Sequence, residues 1–246
     1  MVQKNRCRSA FFIQRFNYLV NILLCISACH LEVAHAVDTA PVSPVRDYVE
    51  ATERARYSEL LENFGQHKVL PEGYELQALI ALSHFPELKN VKIQFIVKNV
   101  GIAISSRPKI SSLLKSARKR TYLIVIDTEL QGPRSALLLK NQPFNAQIGI
   151  LGHELAHTVY YLKRSFFGIV SDGVCQIGAC RQRFERDTDK RLIRYGLGWQ
   201  RYDHSRFVRD QFSLHPETSK KTSIYMGPDE LLDIIQSHHF YQSKTN

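Results

Sequence analysis

One long amphipathic run that carries two histidines a helical turn apart constrains this chain more than any other feature. At about 100° per residue, Ile148, Leu151, Leu155, Val159 and Leu162 fall on one side of a helix, and His153 and His157 fall nearly opposite. Such a helix lays its apolar stripe on a core and turns its imidazoles toward a cleft. Asn145 is placed to cap its start, and Lys163 and Arg164 suit the negative end of its dipole.

Imidazoles four residues apart share one helix face and can bind a single tetrahedral Zn2+ through bonds of about 2.0–2.1 Å. Glu154, next to the first of them and about 100° round the helix, reaches a zinc-activated water as general base. A catalytic zinc needs a third protein ligand and an open position. The charged run 184–193, a predicted helix, offers Glu185 as that ligand. Asp189, on the same face, can accept a hydrogen bond from the free ring nitrogen of a ligating histidine. The competing reading pairs both carboxylates with Arg181, Arg183, Arg186 or Arg191 on an exposed face. Tyr195, Tyr202 and His204 follow this helix, where an oxyanion donor could arise, but no spacing selects among them; His215, His238 and His239 have no motif partner.

Upstream, Val45, Tyr48, Val49, Leu60, Leu61 and Phe64 among many charges predict an amphipathic helix from about Pro44, closed by Gly65. A second helix is expected over 74–84, stopped by Pro86. The period then changes: Val91, Ile93, Phe95 and Val97 alternate with polar residues, as a half-buried strand does. The unbroken apolar run Tyr122–Ile126 predicts an interior strand, and Ala136–Leu139, between two Pro-containing turns, predicts a third. Helix dominates from Phe144 onward, with Pro228 near the start of a last amphipathic helix ending near His238. Helices, a small sheet, then helices carrying the chemistry make an α+β fold rather than alternating βαβ units.

Lys4, Arg6, Arg8 and Arg15 precede an apolar run, Tyr18–Ala28, and then Ala34-His35-Ala36, so 1–36 reads as a secretory signal peptide. The apolar run is shorter than the roughly 17–25 residues of a spanning helix. Ile26-Ser27-Ala28-Cys29 also resembles a bacterial lipobox, which would make a lipidated Cys29 the mature N-terminus and tether the domain to a membrane. Residues 37–44 suit a linker and 45–246 a single catalytic domain. Beyond Ala36 only Cys175 and Cys180 remain, and an oxidising compartment lets them form a disulfide. The formal net charge of +10 stays positive once the leader's charged residues are set aside, which favours anionic surfaces or acidic substrates. The cations are dispersed without interleaved aromatic residues, so nucleic acid is not an expected partner, and Arg118-Lys119-Arg120 reads as a solvated turn.

The pentapeptide His153-Glu154-Leu155-Ala156-His157, followed 28 residues after its last histidine by Glu185-x-x-x-Asp189, resembles the gluzincin metallopeptidases. Within that group it is most similar to relatives of the CAAX prenyl proteases, over roughly Val91 to Gly198. The resemblance implies a zincin-like fold: a small mixed sheet whose edge strand, here Ala136–Leu139, receives an extended substrate beside the active-site helix. It departs from the membrane relatives, whose several spanning helices have no counterpart after Ala36, and Thr188 stands where a small residue is commoner. The expectation is an exported endopeptidase, periplasmic or secreted, with one Zn2+ held by His153, His157 and Glu185 and Glu154 as base, acting on protein or peptide substrates. Two other readings stay open: a zinc hydrolase of a non-protein envelope amide, and a non-catalytic interaction domain with a metal site.

Overall fold

The structure, a computed structural model, describes residues 42–177, 180–213 and 224–242, without the side chains of 174–177. The leader, most of the linker, His215 and the Cys175 side chain on which the expected disulfide depends lie outside that set. Among the described residues no helix is long and apolar enough to cross a membrane.

The architecture is mixed α and β. Strands β1 (Lys68–Val69), β2 (Lys92–Val97), β3 (Ile104–Pro108) and β4 (Thr121–Ile126) form one sheet in the order β1-β2-β4-β3. The first two and β4 are parallel, and β3 runs antiparallel to β4, with Ile104 opposite Ile126 and Pro108 opposite Tyr122. In β2, Ile93 and Phe95 point into the core while Lys92 is exposed, the expected alternation. Paired on both sides, β4 is buried from Tyr122 to Ile126. Lys68 anchors the sheet's far edge: its ammonium donates to the carbonyls of Gln66, Leu88, Lys89 and Val91, each 3.0 Å away.

The third expected strand is not one. Ala136–Leu139 lies in two 3-10 turns, Gly132–Leu137 and Leu139–Asn141. Gly132 has φ +60° and Pro133 follows with its φ fixed by the ring, so the segment opens as a turn. Asn141 and Gln142 then donate side-chain hydrogen bonds to the Ser135 and Leu137 carbonyls and close it. The edge strand beside the histidine-bearing helix is β3, whose Ser106 hydroxyl lies 3.1 Å from that of Thr158.

The first expected helix is two, α1 (Glu50–Ala55) and α2 (Tyr57–Phe64), broken at Arg56, with Gly65 ending the second. Residues 45–49 are not helical. Asn145 explains part of this: its amide accepts from the Tyr48 N–H at 2.9 Å and donates to the Tyr48 carbonyl at 3.0 Å. It therefore does not cap the histidine-bearing helix, which begins one residue earlier at Phe144 with Pro143 in the N-cap position.

Helix α3 (Glu75–Ser83) is buried from Ala78 to Leu82 and is capped at its C-terminus by His84, two residues before Pro86. His84 is a fully buried neutral imidazole. It donates from Nδ1 to the Tyr195 carbonyl, 2.7 Å away, and accepts the Tyr48 hydroxyl at Nε2, 2.6 Å away. Burial, only partly opposed by the Tyr195 carbonyl, pushes its pKa down to about 4. Unfolded, the ring protonates below about 6.5. Between those values the unfolded chain binds more protons, so stability falls as pH drops through the window, by about 3 kcal/mol from this residue. Urea midpoints measured from pH 6.5 to 4 should fall more steeply for the parent than for His84→Asn; equal slopes would refute the assignment.

Helices α4 (Phe144–Leu162), α5 (Phe166–Ile177), α6 (Arg181–Arg194), α7 (Gly198–Ser213) and α8 (Pro228–Ser237) complete the described chain. Ile148, Leu151 and Leu155 of α4 are wholly buried in the core shared with α3 and the sheet. On another face α4 meets α7 so closely that a Cβ built at Gly149 would sit 2.1 Å from the Gln200 carbonyl oxygen. That oxygen is backbone, and no rotamer change removes it. Gly149→Ala must push the helices apart and is expected to cost about 3 kcal/mol, read as a lower urea midpoint at unchanged slope. Parental stability in this variant would mean the two backbones do not meet there.

Candidate metal centre

The histidine-bearing face of α4 does not open on a wide cleft. Every residue from Ala146 to Val159 is buried, because α6 and α7 cover the side opposite the apolar stripe. What α6 brings to that side is polar: Glu185, Thr188 and Asp189, all buried, occupy one face of an otherwise strongly charged helix.

Three side-chain atoms converge there. His153 Nε2, His157 Nε2 and Glu185 Oε2 are each 3.1 Å from the other two. Neutral donors and acceptors do not explain this triangle, since two imidazole nitrogens and a carboxylate oxygen hold at most two protons among three mutual contacts. A metal does explain it: tetrahedral ligands on bonds of about 2.0–2.1 Å stand roughly 3.3 Å apart. The buried His153, His157 and Glu185 group can hold a metal ion.

The outer ring nitrogens are fixed by partners that specify the tautomer. Asp189 only accepts when ionised, so His153 donates to it from Nδ1 across 2.8 Å. Thr188 spends its hydroxyl proton on the Phe184 carbonyl at 2.9 Å, so it accepts from His157 Nδ1, 3.3 Å away. Both rings thereby turn Nε2 toward the site as the atom that would bind a metal. Asp189 is itself held by Arg201 of α7, whose Nε lies 2.6 Å from Oδ1, and by the Met226 N–H at 3.3 Å.

The electrostatics follow from these contacts. Burial would raise the Asp189 carboxyl, but Arg201 and then His153 hold it well below the ordinary carboxylate range. Glu185 is likewise held down against burial by the two imidazoles. Burial disfavours the His153 imidazolium, yet the Asp189 carboxylate outweighs it and lifts the ring to about 9. A metal arriving at Nε2 therefore displaces a proton. Glu154 differs in kind: burial raises its pKa, the histidines only partly offsetting this. Among the described residues nothing hydrogen-bonds its carboxylate.

All five expected site residues are thus brought together. Three participants escaped the sequence reading of the site. Thr188 had a local signal, being three residues after Glu185 on the same helix face. Arg201 and Tyr225 had none. The Tyr225 ring meets His153 edge-on with centroids 5.9 Å apart, and Arg201 lies over it at 5.6 Å. Burial, with the nearby Glu185 and Glu154 carboxylates, raises the Tyr225 phenol and keeps it protonated. The three oxyanion-donor candidates fare differently: Tyr195 donates its hydroxyl to Glu87, Tyr202 packs on Trp199, and His204 is buried, neutral and bonded to Gln142 at 2.7 Å.

No family model, curated protein or solved structure matches this chain.

Proposed function

We propose that this chain is an exported zinc-dependent endopeptidase of gluzincin type on a zincin-like fold. The observation that carries the reading is a contrast between buried carboxylates. Glu185 closes the triangle with His153 and His157, and Asp189 is locked to His153 and Arg201, while Glu154 takes no part in holding the site. A structural metal site has no use for an unpaired buried carboxylate beside its ligands, and a hydrolase has.

His153, His157 and Glu185 would hold the zinc. When bound, such a metal supplies Lewis acidity, polarising a carbonyl and lowering the pKa of water to about 7. Glu154 removes a proton from the attacking water and returns it to the leaving amine. Its raised pKa suits a group that must both take and give near neutrality. Asp189 and Thr188 keep the imidazoles oriented through the cycle. The protonated Tyr225 hydroxyl is placed to donate to a carbonyl oxygen as charge grows on it. The unpaired side of β3 offers a main-chain edge to an extended peptide, the role first expected of Ala136–Leu139. Export rests on the leader-like 1–36 and on the pairing expected of Cys175 and Cys180.

Metal analysis of the purified chain should return one zinc per molecule. Casein hydrolysis should vanish with phenanthroline and return with added Zn2+. A chain that never retains stoichiometric zinc would end the reading. Zinc with hydrolysis of peptidoglycan but not casein would move the substrate to a non-protein amide, and zinc with neither would favour an interaction domain.

A further inference from the structure

We propose that the β3–β4 connection and the first turns of α5 form a docking face for an anionic lipid surface. The starting observation is apolar exposure where the fold gives no reason for it. Leu114 is 88% exposed, Phe167 80% and Ile110 74%. Val170, one helical turn from Phe167, is 49% exposed. Isolated apolar side chains on a surface need no explanation, but these come from two segments that one buried group ties together.

That group is Arg120. Read from sequence it belonged to a solvated basic turn; in the structure it is buried. Its Nε donates to the Leu113 and Lys115 carbonyls at 3.1 and 3.0 Å, and Nη1 to the Arg164 carbonyl at 2.8 Å. The guanidinium thus grips the backbone on either side of Leu114 and the junction from which Phe167 departs three residues later. Tyr122 donates to the Ala117 carbonyl, and Ser112 bonds Lys109 and Thr121, so the loop is held rigid with its apolar tips outward.

Charge identifies the occupant. No Asp or Glu occurs from 105 to 126 or from 155 to 171, and the first acid beyond, Asp172, is paired with Arg164. Lys109, Lys115, Arg118, Lys119 and Lys163 are exposed around the apolar tips, and none forms an ion pair among the described residues. Apolar tips ringed by cations with no acid between them match the boundary between acyl chains and anionic headgroups. A nucleic acid would use the cations and leave the apolar tips in water. The inference is independent of the metal centre and stands or falls separately from it.

The test is sedimentation with vesicles of one part phosphatidylglycerol to three parts phosphatidylcholine, and with phosphatidylcholine alone. Parent and variants all carry the whole chain, so any contribution of residues 1–41 is common to them. Leu114→Asp and Phe167→Ser should each weaken partitioning to the anionic vesicles about ten-fold. Lys115→Glu with Lys119→Glu should weaken it at least as much, and raised salt should weaken the parent. The substituted side chains are exposed, and unchanged thermal unfolding checks the fold. In Phe167→Trp the added indole should shift to the blue on anionic vesicles and be quenched by brominated acyl chains. Parental binding by Leu114→Asp and Phe167→Ser would overturn the proposal, as would equal partitioning of every variant to both vesicle types. Loss with the lysine changes alone, without quenching, would overturn lipid insertion and leave an acidic protein partner as the occupant of the cations.

Discussion

Glu154→Gln is expected to keep its zinc, keep its fold and lose at least about a thousand-fold in kcat. The amide has the same shape and cannot take a proton from water. Since Glu154 bonds none of the three converging atoms, removing its charge leaves them in place. Removing a desolvated carboxylate with no partner among the described residues also leaves stability intact or improved, because an unpaired buried charge opposes folding. KM should change little, as the lost interaction is made only in the transition state. Metal content, urea midpoint and casein turnover, measured on one preparation, decide the point. Zinc lost together with activity would make Glu154 a structural residue, and undiminished turnover would place the base elsewhere.

Arg201→Met is the harsher test of the scaffold, expected to cost about 4 kcal/mol. Asp189 is wholly buried, and Arg201 supplies its strongest contact, one bond of 2.6 Å and a second of 3.4 Å. Methionine fills much of the volume but leaves a carboxylate facing only the His153 N–H and the Met226 N–H. That carboxylate then escapes by taking a proton or by shifting, and in either case His153 loses its orientation, so zinc affinity should drop about 10- to 100-fold. Adding Asp189→Asn should recover part of the stability, since the stranded charge is gone, but not the affinity. Urea midpoints and competition with a zinc chelator across the four proteins read both effects. Additive losses in the double variant would mean that Arg201 and Asp189 do not act as a pair.

The residues legible in the sequence were those whose roles repeat along one element. Helix α4 showed itself through its apolar period, and β2 through alternation, because in each the side chains facing the core recur at a fixed spacing. Glu185 and Asp189 were legible for the same reason, one turn apart on α6. The sequence misled where backbone conformation was decided by single residues. Ala136–Leu139 is apolar enough for a strand, but Gly132 and Pro133 had already set a turn. In Ile104–Pro108 only Ile104 is a strongly apolar strand former, and the segment pairs through its main chain on one side alone, so no pattern announced it. Asn145 looked like a cap until its amide was found spent on Tyr48, 97 residues away. Arg201 and Tyr225 were out of reach for that reason too: Arg201 is 12 residues past Asp189, Tyr225 comes later still, and neither stands at a helical spacing from the motif.

One turn of α6 supplies the third atom of the triangle that could hold a metal and the partners that orient both histidines. Ligand supply and ligand alignment are therefore not separate tasks shared among loops but properties of a single rigid rod laid against α4. If that rod shifts along its axis, Glu185 leaves the triangle as Thr188 and Asp189 release the rings. The third ligating atom and the partners of both rings would then be lost in one movement.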